Sequence, residues 1–241
     1  MKDGNMENLN QYIKDWFINL SLKKIPPSFF VIRQSLLKAI DELKPKISGN
    51  VLDLGCGVMP YKEYLKTSSI DSYLGVDIKQ TLYHDLLEPD LSWDGINIPL
   101  KDSSCDYVLA TEFFEHYYDI DHILREIKRV LKKDGILFFT VPSIWPIHEA
   151  PFDYHRFTPF SLDLYFKKAE FSSWEVKPLG GFYTCLSLIL SFWFERKSPI
   201  AKWCLKPFLY AVIRFFIKKD KLIFPFVNGQ FHSGLYGFVV K

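Results

Sequence analysis

The sequence has few of the features that mark secreted proteins, small proteins stabilised by a bound metal, or nucleic-acid-binding proteins. Its 241 residues include only four cysteines, and no two of them form a Cys-x-x-Cys pair. Such scattered cysteines provide neither a disulfide framework nor a zinc-finger spacing, which favours a reducing compartment. The 30 Lys and Arg nearly balance the 28 Asp and Glu, so no overall positive field would recruit nucleic acid. We expect a cytoplasmic protein with no nucleic-acid partner.

Apolar runs long enough to cross a membrane are also missing. The two longest lie at residues 182–194 and 203–217, and Lys206, Pro207 and Arg214 interrupt the second. A spanning helix needs about 18 or more uninterrupted apolar residues. The first eleven residues lack the apolar core of a secretory signal. Aromatic residues, by contrast, are abundant, with 22 Phe, 13 Tyr and 6 Trp.

The first informative pattern is a short apolar run that ends in an acid and two glycines. Residues 51–57 read Val-Leu-Asp-Leu-Gly-Cys-Gly, which is typical of a buried parallel strand leading into a tight turn. A dinucleotide-binding loop would place a third glycine where this chain has Pro60. The carboxylate of Asp53 suits an ammonium group better than a pyrophosphate.

A second apolar run ends in Asp77, about twenty residues later. A carboxylate at this spacing can accept both hydroxyls of a ribose. Together the two acids suggest a ligand that joins a nucleoside to an amino acid and carries no phosphate.

These stretches carry a resemblance to a known family. Residues 51–57, residues 75–77 and the sequence Thr-Glu-Phe-Phe-Glu-His at 111–116 resemble the ordered motifs of class I S-adenosylmethionine-dependent methyltransferases, and in particular the methyltransferase type 11 domain family. The resemblance covers roughly residues 45–180 and the last strand. It implies an α/β fold with a Rossmann-like, seven-stranded, doubly wound sheet whose last strand is antiparallel.

The resemblance also implies a division of the chain. Residues 1–45 would form an N-terminal helical cover, either packed on the sheet or closing over the cofactor. Residues 46–180 would form the cofactor-binding core, with a short third strand at 82–86. Residues 181–232 would be a helical, aromatic insertion between the last two strands, and residues 233–241 the final strand.

The resemblance implies S-adenosyl-L-methionine as the cofactor. It also assigns residues of this chain to each part of that molecule. The glycine loop would hold the methionine moiety, the acid after the second strand the ribose, a later loop the adenine, and the loop after the fourth strand the floor of the site. An equally good interpretation of Asp94 is an ordinary exposed acid in a loop, and Asp85 is a second candidate for the adenine contact. The cofactor-binding residues predicted in this way are Asp53, Gly55, Cys56, Gly57, Asp77, Ile78, Asp94, Ile96, Thr111, Glu112 and Glu115.

The acceptor side is predicted at residues 142–158, which follow the fifth strand and are dense in His, acid and aromatic residues. His148 is the predicted general base, with Glu149 or Asp153 as its orienting partner. An alternative gives Asp153 a structural role, as an ion pair with Arg156 that fixes the loop. The predicted acceptor-binding residues are Trp145, Tyr154 and Arg156.

No metal is predicted, because the spacing of His148, Asp153 and His155 matches no established ligand pattern. His116 has two open interpretations, as a residue beneath the methionine end of the cofactor or as a packing histidine.

Residues 181–232 have three interpretations. Between Glu195 and Lys221 there are eight Lys or Arg and two acids, a composition typical of a helix lying on an anionic membrane surface. The aromatic residues could instead line a pocket for an apolar acceptor, or bury themselves in a homodimer. The first interpretation would place the protein peripherally at the inner face of the membrane.

The predicted activity is methyl transfer to a small or lipid- or saccharide-linked acceptor, with oxygen favoured over nitrogen and carbon. Two alternatives come from other classes. One is a catalytically inactive protein that binds S-adenosylmethionine or acts as a membrane-associated partner. The other is an NAD-dependent oxidoreductase, against which Asp53 and Pro60 argue.

Overall fold

The computed structural model of the chain describes residues 2–78 and 87–241, and side chains from Glu7 onward. The chain divides into two compact units. The helical unit contains the residues up to Ala39 together with Pro178–Gly234, and the sheet unit contains Ile40–Lys177 and Leu235–Lys241.

Seven strands form one sheet in the order β3-β2-β1-β4-β5-β7-β6. Strands β1 to β5 are joined by parallel pairings. The last strand runs against β5, because the Lys241 N–H donates to the Gly135 carbonyl while Gly237 lies against the ring of Phe139. The predicted seven-stranded Rossmann-like sheet is therefore confirmed. The strands are β1 (Gly49–Leu54), β2 (Ile70–Ile78), β3 (Leu91–Trp93), β4 (Cys105–Thr111), β5 (Leu131–Pro142), β6 (Ser173–Leu179) and β7 (Gly234–Val240).

The centre of the sheet is apolar because both faces of a parallel sheet are covered. Leu52, Val108, Leu109 and Phe138 have no measurable exposure. The helix that follows β4 buries one face, with Ile123, Leu124, Ile127 and Val130 at the three- and four-residue spacing of an amphipathic helix. This rigid centre fixes the positions of the strand ends.

The helices are α1 (Lys2–Ile13), α2 (Pro27–Leu43), α3 (Lys62–Leu65), α4 (Ile120–Val130), α5 (Pro159–Lys168), α6 (Phe182–Glu195) and α7 (Pro199–Lys219), with a π-helix at Lys14–Ile18 and a 3-10 helix at Phe114–His116. The strand predicted at residues 82–86 lies entirely outside the described residues, and the outer neighbour of β2 in the sheet is β3. Among the residues that the structure describes, no helix combines the length and the apolarity of a membrane span.

Polar contacts tie the parts of the helical unit together. The carboxylate of Glu195 accepts hydrogen bonds from the N–H and the hydroxyl of Ser28. Asp220 accepts from the N–H groups of Gly181 and Tyr183 and from the hydroxyl of Thr184. These contacts satisfy donors at the start of α2 and α6, which the helices leave unpaired.

Candidate functional site

The glycine loop leaves β1 in a conformation that favours glycine. Gly55 and Gly57 have φ values of +68° and +48°. The N–H groups of Gly55 and Cys56 both donate to the carbonyl of Val76, so the loop is fastened to the end of β2. A Cβ on Gly55 would lie 2.5 Å from the ring of Phe113. Glycine at this position therefore makes room for a side chain from the loop after β4.

Asp77 lies beside this loop at the end of β2. Its Oδ2 accepts a hydrogen bond of 2.8 Å from the Gly57 N–H, and its Oδ1 accepts one of 2.8 Å from the Ile78 N–H. The residue is 8% exposed. Two backbone donors thus fix the orientation of the carboxylate that the sequence assigns to a ribose.

Asp53 is buried rather than presented at the surface of the site. Its Oδ2 accepts a hydrogen bond of 2.7 Å from the hydroxyl of Tyr73. Burial raises the pKa of Asp53 to about 7, against the opposing effect of that hydrogen bond. The structure gives Asp53 a contact with β2, and its contact with a ligand ammonium stays a prediction. Burial also raises the pKa of the neighbouring Cys56 thiol, as it does for a structural cysteine.

The loop after β4 is tied to β5. The Glu112 N–H donates to the carbonyl of Thr140, and the Thr140 hydroxyl donates to Glu112 Oε1 over 2.8 Å. Thr111 is half-buried at the end of β4. Because Phe113 from the same loop packs against Gly55, the ends of β1, β2, β4 and β5 meet at one edge of the sheet, where open α/β sheets bind ligands.

Glu115 is the most unusual residue at this edge. It has no measurable exposure, and among the residues that the structure describes neither carboxylate oxygen has a hydrogen-bond partner. Burial, followed by the nearby charge of Glu112, raises the pKa of Glu115 well above its ordinary value. A buried unpartnered carboxyl is costly, which marks the position as one where a ligand group would be stabilising.

The predicted adenine loop is exposed. Asp94 Oδ1 accepts hydrogen bonds from the N–H groups of Ile96 and Asn97, over 2.8 and 3.2 Å, and Ile96 is 55% exposed. The Tyr117 hydroxyl donates to the carbonyl of Gly95 and links this loop to the one after β4. The carboxylate of Asp94 thus orders its own turn, and its contact with adenine stays a prediction. The rival Asp85 lies outside the described residues.

The acceptor loop at residues 143–158 is held by an ion pair. Arg156 donates to both oxygens of Asp153, over 2.5 and 2.8 Å, and lowers the pKa of Asp153 to about 2. Arg156 also donates to the carbonyls of Trp145 and Pro146. The ion pair considered in the sequence analysis is therefore present, and it closes the loop.

The loop is fastened to the segment after β4. The backbone N–H groups of Tyr154 and His155 donate to the carbonyl of Glu115. The Tyr154 ring makes an edge contact with Tyr118 and is 45% exposed. At the end of the loop, Thr158 caps α5 through a reciprocal pair of hydrogen bonds with Ser161.

His148, which belongs to the acceptor loop, lies beside His116 from the loop after β4. Its ring centroid lies 4.6 Å from that of His116, and its Nδ1 lies 3.3 Å from Asp153 Oδ2. The latter approach is too poorly aligned to be a hydrogen bond, because Nδ1 has no such partner among the described residues. Burial, and then His116, lower the pKa of His148, which favours the neutral imidazole that a base requires. Glu149 is partly exposed, with Oε2 at 4.0 Å from His116 Nε2.

Two residues that support the site were missed in the sequence. Tyr73 holds Asp53, and Thr140 holds Glu112. Thr140 is the polar residue within the otherwise apolar run at residues 136–141, and a buried hydroxyl requires a partner. That pattern was the available signal, while the sequence around Tyr73 offered none.

Comparison with known proteins agrees with this geometry. Residues 52–139 match the family described as "Methyltransferase domain". This segment is a methyltransferase domain. It contains the glycine loop, Asp77 and the loop after β4, so the predicted resemblance is confirmed.

Individual relatives are distant. An uncharacterised protein of Methanocaldococcus jannaschii is 28% identical over 97 residues, which cover 40% of this chain and 38% of that protein. The chain therefore matches less than half the length of this curated relative.

Solved structures share the fold of the methyltransferase domain. A SAM-dependent methyltransferase of Thermotoga maritima, described as a possible histamine N-methyltransferase, has a TM-score of 0.56 and 18% identity, covering 95% of this chain and 99% of its own. Phosphoethanolamine N-methyltransferase 2 of Haemonchus contortus, solved with S-adenosyl-L-methionine, has a TM-score of 0.55 and 17% identity, covering 97% of this chain and 56% of its own. The predicted cofactor, S-adenosylmethionine, agrees with the match to the methyltransferase domain family.

Proposed function

We propose that the protein transfers the methyl group of S-adenosylmethionine to a small or lipid- or saccharide-linked acceptor, at oxygen. The observation that carries the proposal is the hydrogen bond from Gly57 to Asp77, which unites the glycine loop and the second-strand acid. The cofactor, when bound, supplies a methyl group already activated on a sulfonium.

The residues around the strand ends would divide the work of binding. Asp77 would accept the ribose hydroxyls, since its carboxylate is fixed at the end of β2. Glu115 would lie beneath the methionine end, and Asp94 with Ile96 would contact the adenine.

On the acceptor side, the protein has to align the acceptor, exclude water and remove one proton. His148 would take the proton of an acceptor hydroxyl as the methyl carbon bonds to oxygen and leaves sulfur. The Asp153 carboxylate lies 3.3 Å from His148 Nδ1 and would stabilise the imidazolium that forms. Trp145, Tyr154 and Arg156 lie on the same loop as His148 and would contact the acceptor.

Calorimetric titration with S-adenosylmethionine, S-adenosylhomocysteine and NAD, side by side, tests the cofactor. We expect both sulfur compounds to bind and NAD to produce no heat above dilution. Binding of NAD alone would overturn the function and favour the oxidoreductase. If both sulfur compounds bind but no acceptor from a broad panel is methylated, the inactive alternative gains support.

We also propose that α6, α7 and the following loop contact the inner face of an anionic membrane. On α7, Ile200, Trp203 and Phe208 are 78%, 80% and 70% exposed. The two acids of the basic stretch, Glu195 and Asp220, are engaged in the hydrogen bonds to α2 and α6 described above. The lysines and arginines thus dominate the charge that this surface presents, which suits an anionic bilayer better than a neutral protein partner.

Co-sedimentation with lipid vesicles tests this contact. We expect the protein to pellet with anionic vesicles at low salt and to be released by high salt, since screening weakens the attraction of the basic residues. Replacing Trp203 and Phe208 with serine should lower the partition coefficient at least about tenfold, because burying one large apolar side chain contributes roughly 1.5–3 kcal/mol.

Phe160 offers the matched control, since it is 71% exposed but lies on α5 of the sheet unit. Phe160→Ser should leave the partition unchanged. If the protein remains in the supernatant with anionic vesicles at low salt, this proposal is wrong. Self-association at sedimentation equilibrium that the Trp203 and Phe208 changes abolish would point to the homodimer instead.

A further inference from the structure

Three side chains that could bind a cation come together where the loop after β4 meets the acceptor loop. Glu115, His116 and His148 each offer one ligand atom, and these atoms lie within 4.8 Å of one another. Glu115 and His116 come from the loop after β4, while His148 comes from the loop after β5. Both loops belong to the sheet unit. The cluster was not visible in the sequence, where 32 residues separate His116 from His148.

The hydrogen bond of His116 leaves Nε2 as the ring nitrogen that can bind a metal. Its Nδ1 lies 2.9 Å from the carbonyl of Phe152, and a carbonyl can only accept, so Nδ1 carries the proton. The lone pair is then on Nε2, which lies 3.8 Å from Glu115 Oε1. A metal-binding histidine commonly has its second nitrogen bound to a carbonyl in this way, which fixes the ring and the tautomer.

Glu115 supplies an independent observation. Its carboxylate is fully buried and, among the described residues, both oxygens lack a hydrogen-bond partner. Native proteins rarely leave such a group unsatisfied. A cation between Glu115 and the two imidazoles would satisfy it and would offset the cost of its burial.

His148 completes the set. Its Nδ1 is buried and has no aligned hydrogen bond among the described residues, although Asp153 Oδ2 lies 3.3 Å away. Asp153 is held in turn by the two terminal guanidinium nitrogens of Arg156. The ion pair that closes the loop therefore also fixes the backbone that presents His148, through the hydrogen bond from the His148 N–H to Asp153.

We propose that Glu115, His116 and His148 form a binding site for a divalent transition-metal cation of the zinc class. Two imidazoles and one carboxylate suit zinc, cobalt and iron, whereas magnesium and calcium prefer oxygen ligands. Ligand bonds of about 2.0–2.2 Å would require the three atoms to approach one another by roughly 1 Å. Three protein ligands leave a fourth position for water or an acceptor oxygen.

The site has a consequence for the acceptor step. With the cation bound, the coordinating lone pair of His148 is occupied, so His148 acts as a ligand rather than as the general base. An acceptor hydroxyl at the open position would instead lose its proton more easily, because a Lewis acid lowers the pKa of a bound hydroxyl. The carboxylate of Glu149, whose Oε2 lies 4.0 Å from His116 Nε2, would accept that proton.

Cobalt(II) titration of the chelator-stripped, full-length protein tests the site without any acceptor or cofactor. We expect visible absorption bands that saturate at one cobalt per chain and disappear when zinc is added. Glu115→Gln keeps the size of the side chain and removes its charge. That variant and His148→Gln should each bind cobalt at least about tenfold more weakly, since even supporting residues of metal sites contribute that much.

His155→Gln is the control, because His155 lies on the same loop but directs Nε2 toward the Tyr118 carbonyl, at 3.4 Å. It should bind cobalt like the original protein. Absence of saturable cobalt bands, or an equal loss of binding in His155→Gln, would overturn the site. S-adenosylhomocysteine calorimetry on the original protein, with and without zinc, separates this result from the proposed function. Failure to bind the cofactor would contradict the proposed function, whereas failure to bind cobalt would contradict the metal site alone.

Discussion

Replacing Asp77 with alanine is expected to lower the affinity for S-adenosylhomocysteine at least about 100-fold. The reason is that one carboxylate would accept both ribose hydroxyls, and each hydrogen bond to a charged group contributes roughly 1.5–3 kcal/mol. The same carboxylate holds the Gly57 N–H at 2.8 Å, so its removal also leaves that N–H without this partner. Calorimetric titration measures the change directly.

Two further variants separate these contributions. Asp77→Asn retains an oxygen for the Gly57 N–H but loses the charge, and should fall between the original protein and Asp77→Ala. Asp71→Ala removes an exposed acid from the same strand and should leave affinity within about twofold, since surface charges contribute little. Unchanged affinity in Asp77→Ala would mean that the ribose acceptor is another residue.

Replacing Gly55 with alanine is expected to destabilise the protein by about 2–5 kcal/mol. Alanine at a φ of +68° costs roughly 1–2 kcal/mol. In addition, its Cβ would lie 2.5 Å from the Phe113 ring, and overpacking of this kind costs about 1–3 kcal/mol. Thermal unfolding should show a Tm lower by roughly 4–20 °C, given about 2–4 °C per kcal/mol for a chain of this size.

Gly229 provides a matched control for the backbone cost. It has a φ of +78°, and a Cβ there would meet nothing within 4 Å. Gly229→Ala should therefore lower the free energy of unfolding by no more than the backbone cost of about 1–2 kcal/mol. Equal losses in the two variants would show that the Phe113 ring moves aside easily and that Gly55 is required for its backbone angle alone.

The contacts of Gly55 also explain why the glycine loop was readable from the sequence. A strand followed by Gly-x-Gly is a local pattern, because the turn needs backbone angles that only glycine adopts easily. The reason for Gly55 in particular is not local, since Phe113 lies 58 residues away. The same distinction applies to Asp77, whose position was predicted while its hydrogen bond to Gly57 was not.

The sequence was less informative about Asp53 and the acceptor loop. Asp53 was predicted to face an ammonium group, and the structure buries it against the hydroxyl of Tyr73. The alternative ion pair of Asp153 and Arg156 was foreseen because the two residues are three apart in a loop rich in charge. Its further contacts with the carbonyls of Trp145 and Pro146 depend on how the loop folds back, which spacing does not encode.

The sequence by itself determined which motifs follow the successive strands, and the order of these motifs indicated the methyltransferase fold. It could do so because an apolar run that ends in Gly, Asp or Thr is a local feature of the sequence. Only the tertiary structure decided that Glu115, His116 and His148 meet. Their approach requires the Tyr154 and His155 N–H groups to dock on the Glu115 carbonyl, and backbone hydrogen bonds between distant loops leave no periodic trace in the residues that make them. The same holds for Glu195 and Asp220, whose engagement with α2 and α6 leaves the basic residues to set the charge of the α7 surface.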